Sequence, residues 1–231
     1  RDNSDHILKQ YKLATLSLML AREVYTINWF NIASIFYLIA SDFREDIAML
    51  GIISASFLLG VGLFQVPAGI MAARFGPRKI AIYGIMIASS AALVTGFASD
   101  TAQIIVLRFI IGIGMACFFG PSVILVSKYL GKESEGLGIG LLNSAHALGG
   151  IVGLFGWVVL AEFVGWRATL ILSGGLGIST AIMLGSTLLR DVDEIKKEFK
   201  LKVSHVFDIL FNRSLIIIGL TLLGFQEGSS M

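Results

Sequence analysis

The side chains able to do chemistry are few, and they sit where water is scarce. Arg22, Glu23, Arg108 and His146 each interrupt a long apolar run, and Glu227 does so near the end of the chain. A charged group in such a setting is costly without a partner, so it binds a solute, relays a proton or pairs with an opposite charge. Glu23 is suited to carry a proton. Arg22 and Arg108 are suited to hold an anion or to pair with a carboxylate, and His146 to either task. Asn28 and Asn143 add hydrogen-bonding groups to the same runs. Helical counting places Glu23 and His146 about 15 Å into their runs and Arg108 about 10 Å into its own. The expected axial gap between Glu23 and Arg108 is then about 5 Å, which two long side chains close if their helices adjoin. Two plainer readings stay open. A helix starting near Val24 would let Arg22 reach back to the interface, and His146 could be a structural histidine bonded to a carbonyl.

The runs that carry these groups define the fold class. Of 231 residues, 55% are hydrophobic and only 15% charged, and the mean hydropathy is +0.83. A soluble domain needs roughly 25% Asp, Glu, Lys and Arg to solvate its surface, which excludes the water-soluble classes. Cys117 is the single cysteine, so no disulfide framework exists, and no Cys/His cluster has metal-site spacing. Neither a metal nor a cofactor is expected, and a net charge of +2 gives no reason to expect nucleic acid. The apolar stretches are Leu13–Ala40, Ile47–Ala73, Ile80–Ser99, Thr101–Ser127, Gly136–Ala161 and Ala168–Leu189, with a seventh beginning at Ser214. Each complete one has the roughly 20 residues a helix needs to cross a bilayer, and none alternates as a barrel strand would. The first is too long and too polar at Arg22-Glu23 for a removable signal peptide. The expectation is an all-α membrane protein. Residues 1–189 form a bundle of six transmembrane helices at about 13–36, 47–73, 80–99, 101–127, 136–161 and 168–189. Residues 190–213 form a polar connection, and 214–231 begin a seventh helix.

Lys and Arg in the short connections set the orientation. Arg1, Lys9, Lys12, Arg74, Arg78, Lys79, Lys128 and Lys132 fall on one side, with Arg190, Lys196, Lys197, Lys200, Lys202 and Arg213. Only Arg44 and Arg167 fall on the other. This places the N-terminus and the 190–213 segment in the cytoplasm. The chain starts at Arg1 and stops within an apolar run, so it is expected to be part of a longer protein.

Two segments carry a family resemblance. Phe64-Gln65-Val66-Pro67-Ala68-Gly69-Ile70-Met71-Ala72-Ala73-Arg74-Phe75-Gly76-Pro77-Arg78-Lys79 resembles the loop between helices two and three of the major facilitator superfamily. Gly69, Arg74, Gly76, Arg78 and Lys79 match its pattern, while Ala73 stands where an acid is expected. Arg108-Phe109-Ile110-Ile111-Gly112-Ile113-Gly114-Met115-Ala116 is similar to the family's fourth-helix motif, with Ile111 in place of the usual glutamine. Gly165-Trp166-Arg167 and the basic connection fit as well. The resemblance implies two inverted three-helix repeats, forming half of a twelve-helix transporter whose other six-helix half is its partner. It also implies that the 69–79 loop holds the cytoplasmic faces of the halves together. Independently of the family, Gly69 suggests a close helix approach and Gly76 a tight turn. Gly112, Ala116 and Gly120 form one small-residue row, and Gly149 with Gly153 forms another; both suggest packing seams. Asn143-Ser144-Ala145-His146-Ala147-Leu148-Gly149-Gly150 is similar to the histidine-bearing helix-five stretch of organophosphate exchangers. Their helix-one and helix-seven arginines are replaced here by Asn28 or Trp29 and by Glu227.

Three functions remain open on the sequence. The first is a proton-coupled secondary transporter of a small solute working by alternating access, with Glu23 as the proton carrier and Arg108 as its switchable partner. The second is a facilitator or exchanger of an organic anion or phosphate ester, held by Arg22, Arg108 and His146 without a proton step. The third is a membrane-embedded enzyme, which would require reactive clusters that the loops lack.

Overall fold

A computed structural model of the chain describes residues 2–131 and 134–188. Six helices account for nearly all of them: α1 (Asp2–Phe43), α2 (Ile47–Phe75), α3 (Pro77–Thr95), α4 (Thr101–Leu130), α5 (Glu135–Val164) and α6 (Trp166–Thr187). All six lie in one compact unit, Arg1–Lys196. Each is long and apolar enough to cross a membrane, and a helix satisfies its own backbone there. The expected linker at 190–213 and helix at 214–231, with Glu227, lie outside the described residues.

The helix ends follow local chemistry. Asp46 and Asp100 cap α2 and α4 by accepting from the Met49 and Gln103 amides. Gly76 and Gly165 end α2 and α5 at φ 95° and 81°, a region nearly closed to residues with a side chain. Pro77 then occupies the first turn of α3, where its missing N–H costs nothing. This moves the start of the third helix three residues ahead of the expected Ile80, and the helix stops at Thr95 rather than Ser99. α1 also extends past its expected limits and runs unbroken through Arg22-Glu23. A helix start near Val24 is thereby corrected, because nothing in the local sequence stops the helix there. α5 contains one π-helical turn, Val152–Gly156.

Packing follows an inverted repeat. α4 lies against α2 and α3, α1 lies against α5 and α6, and α3 packs on α6. Exchanging α1 with α4, α2 with α5 and α3 with α6 leaves this pattern unchanged. The contacts also set its register. Gly60 of α2 seats at Gly112 of α4, and Gly149 of α5 seats at Glu23 of α1. Gly84 of α3 meets Cys117 of α4, while Ser173 of α6 bonds Asn28 of α1. In every pair of equivalents, such as Gly60 with Gly149, Gly76 with Gly165, or Asn28 with Cys117, the two positions are 89 residues apart.

Two expectations about glycines need correction. A Cβ added at Gly112 would strike the Phe57 carbonyl oxygen, one at Gly149 would lie 2.6 Å from the Glu23 carbonyl oxygen and one at Gly153 3.0 Å from Ile27 Cα, so these are seams. At Gly69 and Gly120, however, a Cβ would meet nothing within 4 Å. Gly69 lies on an open face of α2, so it makes no close approach among the described residues.

Candidate functional site

Two buried arginines organise the interior, and they differ in how well they are satisfied. Arg108 of α4 is 4% exposed. It donates to the Asn28 carbonyl oxygen at 2.9 Å and to Asn31 Oδ1 at 3.3 Å. Asn31 Nδ2 donates in turn to Asn28 Oδ1 at 3.3 Å and to Ser173 Oγ at 3.2 Å. The guanidinium also lies 5.4 Å from the centre of the Phe57 ring. This knot ties α4 to α1 and α6 through polar groups that are all buried. It occupies both terminal guanidinium nitrogens, leaving Arg108 Nε alone without an acceptor among the described residues, so its main part is positioning.

Arg22 of α1 is 6% exposed. Its guanidinium carbon lies 4.5 Å from the Tyr25 ring centre and 4.7 Å from that of Phe119 on α4. Nε and Nη1 are buried and have no hydrogen-bond acceptor among the described residues. The rings favour the cation's position, and the Tyr25 side chain hydrogen-bonds the guanidinium, which still leaves Nε and Nη1 without acceptors.

His146 of α5 stands beside it. Thr26 Oγ1 lies 2.9 Å from the Arg22 carbonyl oxygen and 2.6 Å from His146 Nδ1. A carbonyl only accepts, so the single hydroxyl proton goes to Arg22 O, and the imidazole must donate from Nδ1. Bond accounting therefore assigns the neutral ring to the Nδ1–H tautomer, with the Nε2 lone pair unused by this bond. Asn143, one turn earlier on α5, is exposed.

Glu23 and Arg108 are not brought together here. The Glu23 side chain is half-buried, and it makes no hydrogen bond or ion pair among the described residues. Its backbone faces Gly149 of α5. Arg108 meets α1 at Asn28 and Asn31, five to eight residues further on, or about 7–12 Å along the axis. Asn28 also points about 140° away from Glu23 around the helix. Depth counting overlooked this difference of face.

At the end of the bundle where α2 meets α3, Arg78 donates from Nε to Leu188 O at 2.8 Å and from Nη2 to Gly185 O at 2.7 Å, capping α6. Arg74 lies over the Phe75 ring, and both Arg74 and Lys79 are exposed. At the opposite end Arg167, the repeat equivalent of Arg78, donates to Ala98 O beyond α3 and pairs with Asp42 at 3.1 Å.

Sequence reasoning missed Asn31, Thr26, Ser173, Tyr25 and Phe119. Asn31 carried a usable signal, since it sits three residues after Asn28 and so shares its helix face. Phe119 and Ser173 carried none, because only the packing of α4 and α6 on α1 brings them in.

Set against known proteins, the family profile described as Major Facilitator Superfamily matches residues 18–229. The chain is 30% identical over 159 residues to the probable sulfoacetate transporter SauU of Cupriavidus necator, covering 69% of this chain and 36% of that protein. It is 24% identical over 146 residues to the 4-hydroxybenzoate transporter PcaK of Pseudomonas putida, covering 63% and 33%. It spans about a third of the length of these curated relatives. Its fold matches that of a bacterial homologue of the human lysosomal transporter Spinster, with a TM-score of 0.69 and 22% identity. That match covers 77% of this chain and 43% of that one.

Proposed function

The chain belongs to the major facilitator superfamily, and we propose that it is the first half of a secondary transporter that moves a small organic anion by alternating access, coupled to protons. The observation that carries the reading is the Arg22 guanidinium, buried with Nε and Nη1 lacking acceptors. Unsatisfied buried donors on a cation are costly, and an anion's oxygens supply what is missing. His146 and Thr26 flank the place where that anion would lie. The relatives' names, sulfoacetate for one and 4-hydroxybenzoate for the other, are both those of small organic acids.

In this reading a second six-helix bundle completes the cavity, and the two bundles rock about it. Glu23, unpaired and half-buried in the middle of α1, carries the coupling proton. Asn143, exposed on α5, belongs to the surface that faces the cavity. The 69–79 loop, with Arg74, Arg78 and Lys79, meets the other bundle on the cytoplasmic side. The N-terminus and the 190–213 connection are cytoplasmic, and the protein resides in the cell membrane.

The test uses the full-length protein in liposomes, with sulfoacetate and 4-hydroxybenzoate as probes. An inward proton gradient should drive accumulation, and Arg22→Gln should abolish both accumulation and exchange. Glu23→Gln should abolish accumulation yet keep exchange, since exchange moves no net proton. Continued accumulation in Glu23→Gln would make that acid structural, and undiminished exchange in Arg22→Gln would remove the anion reading.

A further inference from the structure

Arg22 is one end of a run of aromatic rings. Tyr25, against which the guanidinium rests, lies 5.8 Å from the Trp29 ring, and Trp29 meets Phe57 of α2 edge-on at 4.7 Å. Phe118 of α4 closes the other side of Tyr25 at 5.6 Å. Tyr25, Phe57 and Phe118 are buried, whereas Trp29 keeps part of its surface accessible. The far end of the run meets Arg108, whose Nη1 and Nη2 are taken by Asn28 and Asn31 so that only Nε lacks an acceptor among the described residues. A cation with free donors therefore stands next to a firmly backed aromatic surface with one accessible ring.

We propose that this surface is the subsite for the body of the transported anion, and that the substrate is an aryl carboxylate with its carboxylate on Arg22 and its ring against Trp29. The proposal rests on the anion reading of Arg22. Small-molecule sites combine apolar and aromatic walls with a few polar groups that fix orientation, and this corner has both components. Aromatic pairs gain affinity beyond the area they bury, so a flat aryl ring is favoured over a saturated ring of the same size. A polyhydroxylated acid would instead press its hydroxyls against the faces of these rings, where they lose water without gaining partners.

The experiment measures binding of benzoate, cyclohexanecarboxylate and acetate to the full-length protein in detergent. Benzoate should bind about tenfold more tightly than cyclohexanecarboxylate. Trp29→Leu should erase that preference, Trp29→Phe should restore most of it, and Arg22→Gln should weaken all three anions alike. Equal affinity for benzoate and cyclohexanecarboxylate in the unaltered protein overturns the aryl subsite while leaving Arg22 as an anion site. So does a preference that survives Trp29→Leu, or failure to bind benzoate while acetate binds. Full binding by Arg22→Gln overturns the anion reading itself, and this proposal with it.

Discussion

Gly149→Ala tests how α5 seats on α1, and with it the geometry of the site. The new Cβ would lie 2.6 Å from the Glu23 carbonyl oxygen and 2.9 Å from both Glu23 Cα and Thr26 Cβ. Carbon settles at about 3.3 Å from oxygen and about 3.5–4.0 Å from carbon, so the two helices must part by about 0.7 Å. Thr26 lies on the displaced face, and its 2.6 Å bond to His146 would lengthen to about 3.3 Å, beyond the good range. Overpacking costs about 1–3 kcal/mol and the weakened bond about 1 kcal/mol, while alanine's helix preference returns about 1 kcal/mol. The net expectation is a loss of about 1–3 kcal/mol in equilibrium unfolding in mixed micelles. Gly69→Ala and Gly120→Ala are the controls, since nothing lies within 4 Å of either position, and they should be neutral or slightly stabilising. If Gly149→Ala unfolds with those controls, the seam is loose and the reasoning about Thr26 and His146 falls with it.

Two further outcomes are expected. Asn31→Leu removes an acceptor from Arg108 and a donor to Ser173 in a dry interior, so it should cost about 1–3 kcal/mol in the same unfolding assay; a neutral result would mean that the knot is not holding α1, α4 and α6 together. Cys117 is buried and should resist maleimides in the native protein. A cysteine replacing Asp100 should react with an impermeant reagent in intact cells, and one replacing Lys79 only after permeabilisation; the reverse pattern would invert the proposed orientation.

The fold was legible because a bilayer allows so little. An apolar run of that length must be a helix, whichever side chains it carries. Helix ends were less legible, since α3 is set by the positive φ of Gly76 rather than by where hydropathy changes. The site was half legible. Arg22, Arg108 and His146 stand out as polar residues in apolar runs, but their partners are far away in the chain. Thr26 and His146 are 120 residues apart, and Asn28 and Ser173 are 145 apart. The expected meeting of Glu23 with Arg108 used depth without azimuth, and a helix that turns about 100° per residue separates groups that depth alone would join. Gly69 shows the converse, a motif position whose partner surface is absent from the described residues.

The register of 89 positions also bears on how the bundle is held shut. Gly76-Pro77-Arg78 and Gly165-Trp166-Arg167 are the same turn read twice, once at each end of the bundle. Two opposed three-helix units bury against each other surfaces that one unit alone would leave bare. Each unit also lends its turn arginine to the other, Arg78 to the end of α6 and Arg167 to the carbonyl of Ala98 beyond α3, where Asp42 offsets its charge. One joint used twice thus latches the two units together at both ends.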